Sequence, residues 1–389
     1  MRRSHAAIAI LFGSIGSWAV VPRAVAAAVP GILSPALSIP FPETSPWLAQ
    51  ATSSSLSTDQ QEQVDELLRQ GQTRVTARDY AGAIAIYQQA AAIDGQNPRL
   101  FSGIAYLYVQ QGEYSEAIAA YQRAIALDGD NLPFRYGLAL SQYKNGQIDE
   151  ALATYESILA ISPREINAHL GIGGIQIERS DYDDALTTYQ NLARLAPGDA
   201  QVYEALGALY IQQEDYEEAL TYLNQGLRAN PNDGNFYVII ANIYLMQDNY
   251  PEATKNLREA VRVDPQNAEV QHLMGYVLYQ QGDREAAFDY LVRAVRLDPD
   301  LVTAHALLGE LMLEREQYLQ AVLSYRQVVE ARPEDPAAFY NLGLALWGQG
   351  LQAQALSNVE LAAILYERQG NTEGVTRARE LMALWGYEP

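Results

Sequence analysis

One spacing constrains this chain more than any other feature: small and helix-ending residues recur every 34 positions. A fixed period of this length is typical of repeat proteins, in which each unit packs on its neighbours. The column that closes each unit holds glycine or proline, at Gly95, Gly129, Pro163, Pro197, Pro231, Pro265, Pro299 and Pro333. A second column is alanine in every unit, at Ala83, Ala117, Ala151, Ala185, Ala219, Ala253, Ala287, Ala321 and Ala355.

The pattern inside each unit predicts two short helices. In residues 200–233, apolar side chains fall at Val202 and Leu206 and again at Ala219 and Leu223, both with a helical period. Proline then ends the second helix, because its ring cannot continue the hydrogen-bond ladder. A third column lets the two helices approach closely, since it holds only small residues. These are Gly71, Ala105, Ala139, Gly173, Gly207, Ala241, Gly275, Gly309 and Gly343.

This pattern resembles the tetratricopeptide repeat (TPR) family, in which a 34-residue helix pair is the repeated unit. The resemblance covers nine units in residues 64–369, followed by a capping helix in residues 370–389. It implies an all-α, right-handed superhelical solenoid of helix-turn-helix units. It also implies a concave groove, lined by the first helix of each unit, that holds a protein or peptide partner.

The N-terminal region has the pattern of an export signal followed by a linker. Arg2 and Arg3 precede an uncharged apolar run and a series of small residues, so residues 1–28 are predicted to be a signal peptide. We therefore expect a periplasmic protein with no membrane-spanning segment after cleavage; an uncleaved membrane anchor is the alternative. Residues 29–63 are rich in proline and serine, which predicts a flexible linker that runs into the first helix.

Composition argues against most enzyme classes. The chain has no cysteine and four histidines, which excludes disulfides and thiolate chemistry. No catalytic residue and no cofactor is predicted, because His169 and His305 fall at packing positions and residues 171–174 are a glycine run inside a helix. A formal charge of −21 disfavours nucleic acid as a partner.

Acidic residues cluster at the turns inside the units. The acidic residues of one turn, Asp181, Asp183 and Asp184, stand one repeat before Asp215, Glu217 and Glu218. Such turns are predicted to form a solvated acidic ridge, and weak divalent cation binding is the alternative. No metal-ligand set is predicted.

The groove positions of the first helices form an aromatic surface, and we predict that it binds peptide. The expected site residues are Tyr106, Tyr136, Leu140, Tyr143, His272, Tyr276, Tyr279, Tyr340 and Trp347. His272 is expected to point into the groove. The family's lysine and asparagine clamp for a carboxylate is absent, because the chain contains only two lysines, Lys144 and Lys255.

These observations predict an exported, non-enzymatic scaffold that binds protein segments. The architecture also resembles that of periplasmic photosystem II assembly factors of cyanobacterial type, which implies a second reading. In that reading the chain binds a reaction-centre subunit and divalent manganese.

Overall fold

The computed structural model describes residues 56–387, and within that range it contains nineteen α-helices and no strand. The all-α fold predicted from the repeat is confirmed. The helices of the first five units are α1 (Thr58–Thr76), α2 (Tyr80–Ile93), α3 (Pro98–Gln111), α4 (Tyr114–Leu127), α5 (Leu132–Lys144), α6 (Ile148–Ile161), α7 (Ile166–Glu178), α8 (Tyr182–Leu195), α9 (Ala200–Gln212) and α10 (Tyr216–Ala229).

The remaining helices complete four further pairs and one single C-terminal helix. They are α11 (Gly234–Met246), α12 (Tyr250–Val263), α13 (Ala268–Gln280), α14 (Arg284–Leu297), α15 (Val302–Glu314), α16 (Tyr318–Ala331), α17 (Pro336–Gly348), α18 (Gln352–Arg368) and α19 (Thr372–Leu384). The predicted signal peptide and most of the linker lie outside the described residues. Within residues 56–387 no helix combines the length and the hydropathy that a membrane span requires.

The ends of the helices follow from local capping chemistry. From α3 to α17, each first helix begins at the residue with which its sequence unit begins. The first unit differs, because α1 starts at Thr58, six residues before Val64. Its start is set by a capping box in which the Ser57 hydroxyl accepts from the Gln60 backbone N–H at 3.3 Å, and the Gln60 side chain accepts from the Ser57 N–H at 3.0 Å.

The described chain divides into two compact units. The N-terminal unit ends at Asn230 and contains α1–α10, and the C-terminal unit begins at Pro231 and contains α11–α19. The repeat pattern runs through this point without a change of period, so it does not predict the division. In both units, each helix of every pair contributes buried hydrophobic residues.

The two small-residue columns pack as their spacing predicts. Every alanine of the second column is fully buried, at 0% exposure. A Cβ atom at Gly173 would lie 2.1 Å from Tyr189 Cε1, and one at Gly171 would lie 2.7 Å from Tyr155 Cζ. A real Cβ atom does not come this close to a non-bonded atom, so the two tyrosine rings leave no room for a side chain at Gly171 or Gly173. The glycine run in α7 therefore serves helix packing, as predicted.

The fourth residue of most repeats forms a hydrogen bond with the turn that precedes its repeat. His169 Nε2 lies 3.1 Å from the Pro163 carbonyl oxygen, and His305 Nε2 lies 2.9 Å from that of Pro299. Other polar residues at this position donate to the equivalent carbonyl: Arg135 to Gly129, Tyr203 to Pro197, Tyr237 to Pro231 and Gln271 to Pro265. The predicted structural role of both histidines is therefore correct. The turn carbonyl, however, rather than a neighbouring helix, is their partner.

Candidate protein-binding face

The first helices of successive repeats lie side by side within each unit. Contacts join α3 to α5 and α7 to α9 in the N-terminal unit, and α13 to α15 and α15 to α17 in the C-terminal unit. We call the surface that these helices form in each unit its first-helix face. The predicted site residues belong to these helices, so each unit is described by itself.

In the N-terminal unit the aromatic side chains of the face are half-buried. Tyr106 on α3, and Tyr136 and Tyr143 on α5, each keep part of their surface accessible. The Tyr136 hydroxyl donates to Glu165 Oε2 at 3.3 Å. Burial, with a contribution from Glu178, raises the pKa of Tyr143 to about 12, so its hydroxyl stays a neutral donor. Leu140 differs from the tyrosines, because it is 7% exposed.

In the C-terminal unit, the expectation that His272 points into an open groove is wrong. Its side chain is buried, with 5% exposure, and its Nδ1 lies 3.4 Å from Glu269 Oε2 one turn earlier on α13. The fifth residue of this repeat is therefore buried in the protein and is not open to a ligand. Tyr276, one turn further along, is half-buried, and burial raises the pKa of its hydroxyl.

Tyr279 is the centre of a polar network on α13, α14 and α15. Its hydroxyl donates to Glu310 Oε1 at 2.5 Å. Arg284 Cζ lies 3.8 Å from the centroid of the Tyr279 ring, and its guanidinium also donates to the Tyr279 carbonyl oxygen. Arg284 Nε lies 3.5 Å from Glu314 Oε2. Burial raises the pKa of the Glu310 carboxyl above its ordinary value, against the hydrogen bond from Tyr279, which lowers it.

The last two predicted residues lie on α17 in different surroundings. Tyr340 is 7% exposed, and burial raises its pKa to about 12. Trp347 is half-buried, and its ring stacks on that of Trp385 with centroids 4.1 Å apart and planes 2° from parallel. The capping helix thus covers one face of a residue that the sequence pattern presents as open.

The nine predicted site residues therefore fall into two groups. Leu140, His272 and Tyr340 are buried and offer little surface to a ligand, because their helices pack over them. The other six are half-buried and remain candidates for peptide contact: Tyr106, Tyr136, Tyr143, Tyr276, Tyr279 and Trp347. The peptide-binding role of the set stays a prediction.

Two residues matter to this face that the aromatic pattern did not single out. Glu310 occupies a groove position of α15, and Arg284 begins α14 and reaches back over Tyr279. A signal for Glu310 was present, because it is the one charged residue at the ninth position of the nine repeats. Arg284 carried no such signal, since its reach depends on how α13 and α14 are paired.

The acidic turns do not assemble a built metal site in the described part of the chain. Within residues 56–387 no group of three or more His, Asp or Glu side chains is placed to hold a metal ion. Asp215 accepts a hydrogen bond from the Glu218 backbone N–H at the N-terminus of α10, and Asp181 is the N-cap residue of α8. A negative charge at these positions is stabilised by the helix dipole. Weak divalent cation binding by these turns stays an untested prediction.

Comparison with protein families identifies the class of protein. Residues 131–339, more than half of the chain, match the family described as the Cilia and flagella-associated protein 70 C-terminal domain. Residues 105–146 match a TPR repeat family, and residues 307–372 match a tetratricopeptide repeat family. The chain therefore belongs to the tetratricopeptide repeat family.

Individual relatives are similar over parts of their length. A TPR repeat-containing protein of Picosynechococcus sp. (strain PCC 7002) is 41% identical over 71 residues, which is 18% of this chain and 18% of that protein. Among solved structures, MamA is 23% identical, with 44% of this chain and 93% of MamA covered at a TM-score of 0.40. YrrB, described as a TPR protein with an unusual peptide-binding site, is 22% identical, with 49% and 97% covered at a TM-score of 0.44.

Proposed function

We propose that this chain is an exported scaffold that binds protein or peptide segments on its first-helix faces and performs no chemistry itself. The observation that carries the proposal is a pair of half-buried tyrosines on one first helix of each unit: Tyr136 and Tyr143 on α5, and Tyr276 and Tyr279 on α13. Tyrosine suits such a surface because it buries a large area with few rotatable bonds to immobilise.

The test compares aromatic residues that differ only in the helix that carries them. Peptides selected by display on the full chain are titrated against a Tyr143→Ala, Tyr276→Ala variant. The control is Tyr222→Ala, Tyr290→Ala, which removes one half-buried tyrosine per unit from the second helices. We expect the first variant to lose about 2 kcal/mol of binding free energy per anchor and the control to lose little. Equal losses would contradict the proposal.

Export is the part of this proposal that concerns location. Its support is the sequence of residues 1–28, with Arg2 and Arg3 before an apolar run. N-terminal sequencing of the protein from fractionated cells tests it. We expect a mature chain that begins near residue 29 in the exported fraction, and a cytosolic chain that still begins at Met1 or Arg2 would contradict export.

A finer candidate is a periplasmic assembly factor for photosystem II that binds a reaction-centre subunit and manganese. Its support is the architecture of the sequence, in which an export signal and a linker precede nine repeats. Calorimetry with manganese and co-purification of a reaction-centre subunit from photosynthetic cells test its two parts. Absence of that subunit from the purified complex would contradict the candidate and leave the general scaffold function in place.

A further inference from the structure

We propose that the first-helix face of the C-terminal unit recognises a lysine side chain of the bound segment through Glu310. This inference rests on the proposed function and names the chemistry of the partner at one site. Glu310 lies on α15 beside Tyr279 of α13, so its carboxylate stands between two adjacent first helices, where a segment lying across the face would meet it.

The charges around Glu310 are short of one cation. Glu285 pairs with Arg315 at 3.0 Å, and Glu314 lies 3.5 Å from Arg284. Both guanidiniums are thus matched with other carboxylates, and Arg284 is also held against the Tyr279 ring. Glu310 feels the charge of Arg284, but its described hydrogen bond comes from the neutral Tyr279 hydroxyl and it forms no described ion pair. A half-buried carboxylate without an ion pair of its own is costly, and a positively charged ligand would offset that cost.

A second acceptor in the same place also lacks a donor. The Tyr325 side chain of α16 is 2% exposed, and its hydroxyl has no hydrogen-bond partner in the described structure, although Asn341 lies beside it. Its pKa is raised well above the ordinary value, first by burial and then by the charges of Glu310 and Glu314 and by Tyr279. Tyr325 therefore faces the same cluster. This hydroxyl is sealed from solvent and does not meet a ligand, but it brings no positive charge to Glu310.

The geometry of the carboxylate favours lysine over arginine. Tyr279 already donates to Oε1 of Glu310 at 2.5 Å, which leaves Oε2 as the oxygen without a described hydrogen bond. A guanidinium binds a carboxylate best through two parallel hydrogen bonds, one to each oxygen. An ammonium acts as a compact point charge and needs a single oxygen. The Tyr279 hydroxyl therefore determines specificity, because it occupies the carboxylate oxygen that the second N–H of an arginine would need.

The experiment measures binding of charged probe peptides to the full chain by fluorescence anisotropy at about 0.15 M salt, where distant surface charges are screened. Three glycine-serine peptides carry lysine, arginine or acetyl-lysine at the same positions. We expect the lysine peptide to bind most tightly and the acetyl-lysine peptide, which lacks the charge, to bind least. Glu310→Gln should weaken binding of the lysine peptide about tenfold, the effect of losing one charge-assisted hydrogen bond.

A matched control separates a site from general attraction to an acidic protein. Glu217→Gln removes the same charge from an exposed position on the second helix α10 and should change binding by less than about twofold. Tyr279→Phe frees both oxygens of Glu310 and should abolish the preference for lysine over arginine. This variant carries the test if Glu310→Gln fails to fold, as judged by its thermal melt.

Equal binding by the Glu310→Gln and Glu217→Gln variants, or equal binding of the lysine and acetyl-lysine peptides, would overturn the inference. Display-selected peptides that depend on Tyr276 but not on Glu310 would leave the scaffold function standing and remove only the lysine site. Lysine binding that depends on Glu310, with selected peptides indifferent to the aromatic residues, would instead contradict the proposed function.

Discussion

The two units differ in how most of their repeats fill one packing position, although Leu223 of repeat five and Tyr325 of repeat eight depart from the pattern. In the N-terminal unit the twenty-fourth residue of repeats one to four is tyrosine: Tyr87, Tyr121, Tyr155 and Tyr189. In repeats six and seven of the C-terminal unit it is Leu257 and Leu291. All six side chains are buried, with at most 2% exposure, so both choices complete a core.

The difference is balanced by the residue that faces this position from the next repeat. Tyr121 faces Gly137, where a Cβ would lie 2.3 Å from its ring, and Tyr155 faces Gly171. Leu291 instead shares its core with Leu307, which is the sixth residue of the following repeat, as Gly137 and Gly171 are of theirs. A large ring thus goes with glycine and a smaller side chain goes with leucine. The ring takes the space that a side chain at the facing position would need, because a close-packed interior does not accept an overlap.

The largest expected effect comes from giving an N-terminal repeat the leucine of a C-terminal one. Gly171→Leu places a side chain where the Tyr155 ring already lies, and should cost about 3 kcal/mol in the free energy of unfolding. Adding Tyr155→Leu should recover more than half of that loss. Denaturant unfolding of the two single variants and the double variant measures the coupling, and simply additive losses would contradict a shared volume.

The reverse exchange should have a smaller effect. Leu291→Tyr overpacks the site between Gly275 and Leu307 and should cost about 2 kcal/mol, because more of the surrounding residues can adjust. Leu307→Ala in the same chain should relieve part of the strain. Thermal melts that show no benefit from the second substitution would mean that Leu291 and Leu307 do not share one site.

Tyrosine at this packing position should also give stability a dependence on pH that leucine at the same position cannot give, because leucine has no proton to lose. Burial raises the pKa of Tyr155 from 10.0 to about 12, so the unfolded chain loses this proton first. Stability should therefore fall as the pH rises from about 10 to 12, by about 1 kcal/mol per pH unit from this residue. Tyr155→Phe should make the decline shallower, whereas Tyr387→Phe, which changes an exposed ring, should leave it as it is.

The smallest expected change in stability comes from removing single tyrosine hydroxyls, and its sign should depend on whether the hydroxyl has a hydrogen-bond partner. The Tyr155 hydroxyl is buried and has no hydrogen-bond partner in the described structure, whereas that of Tyr189 donates to the Leu170 carbonyl oxygen at 3.4 Å. Tyr155→Phe at neutral pH should leave stability unchanged or raise it by up to about 1 kcal/mol. Tyr189→Phe should lower it by about 0.5 kcal/mol. Calorimetric melts that rank the two variants the other way would contradict this assignment.

The local part of the fold was open to prediction from the sequence. The period of 34 gives the helix pairs, because apolar spacing and helix-ending residues act within a few turns of chain. The C-terminal helix also follows from its own pattern, with Asn371 at its N-cap and Trp385 at its C-cap. The division at Pro231 did not follow, since no single residue marks it.

The binding face could be predicted only in outline. Position along a first helix selects Tyr136, Tyr143 and Tyr276 correctly as half-buried aromatic residues. It does not show that His272 is covered, nor that Trp385 stacks on Trp347, because both depend on neighbours from other helices. The burial of a side chain depends on all the helices that pack around it, whereas a spacing rule describes a single helix.

The sequence by itself thus determined that this chain is a TPR protein, since a repeated local pattern is written out in every unit. Only the tertiary structure decided which side chains share one volume and which charges are matched. Gly171 is explained by Tyr155, and the unmatched carboxylate of Glu310 by the partners that Arg284 and Arg315 have taken elsewhere. Contacts of this kind form between residues of different helices, and their geometry is fixed only when those helices pack.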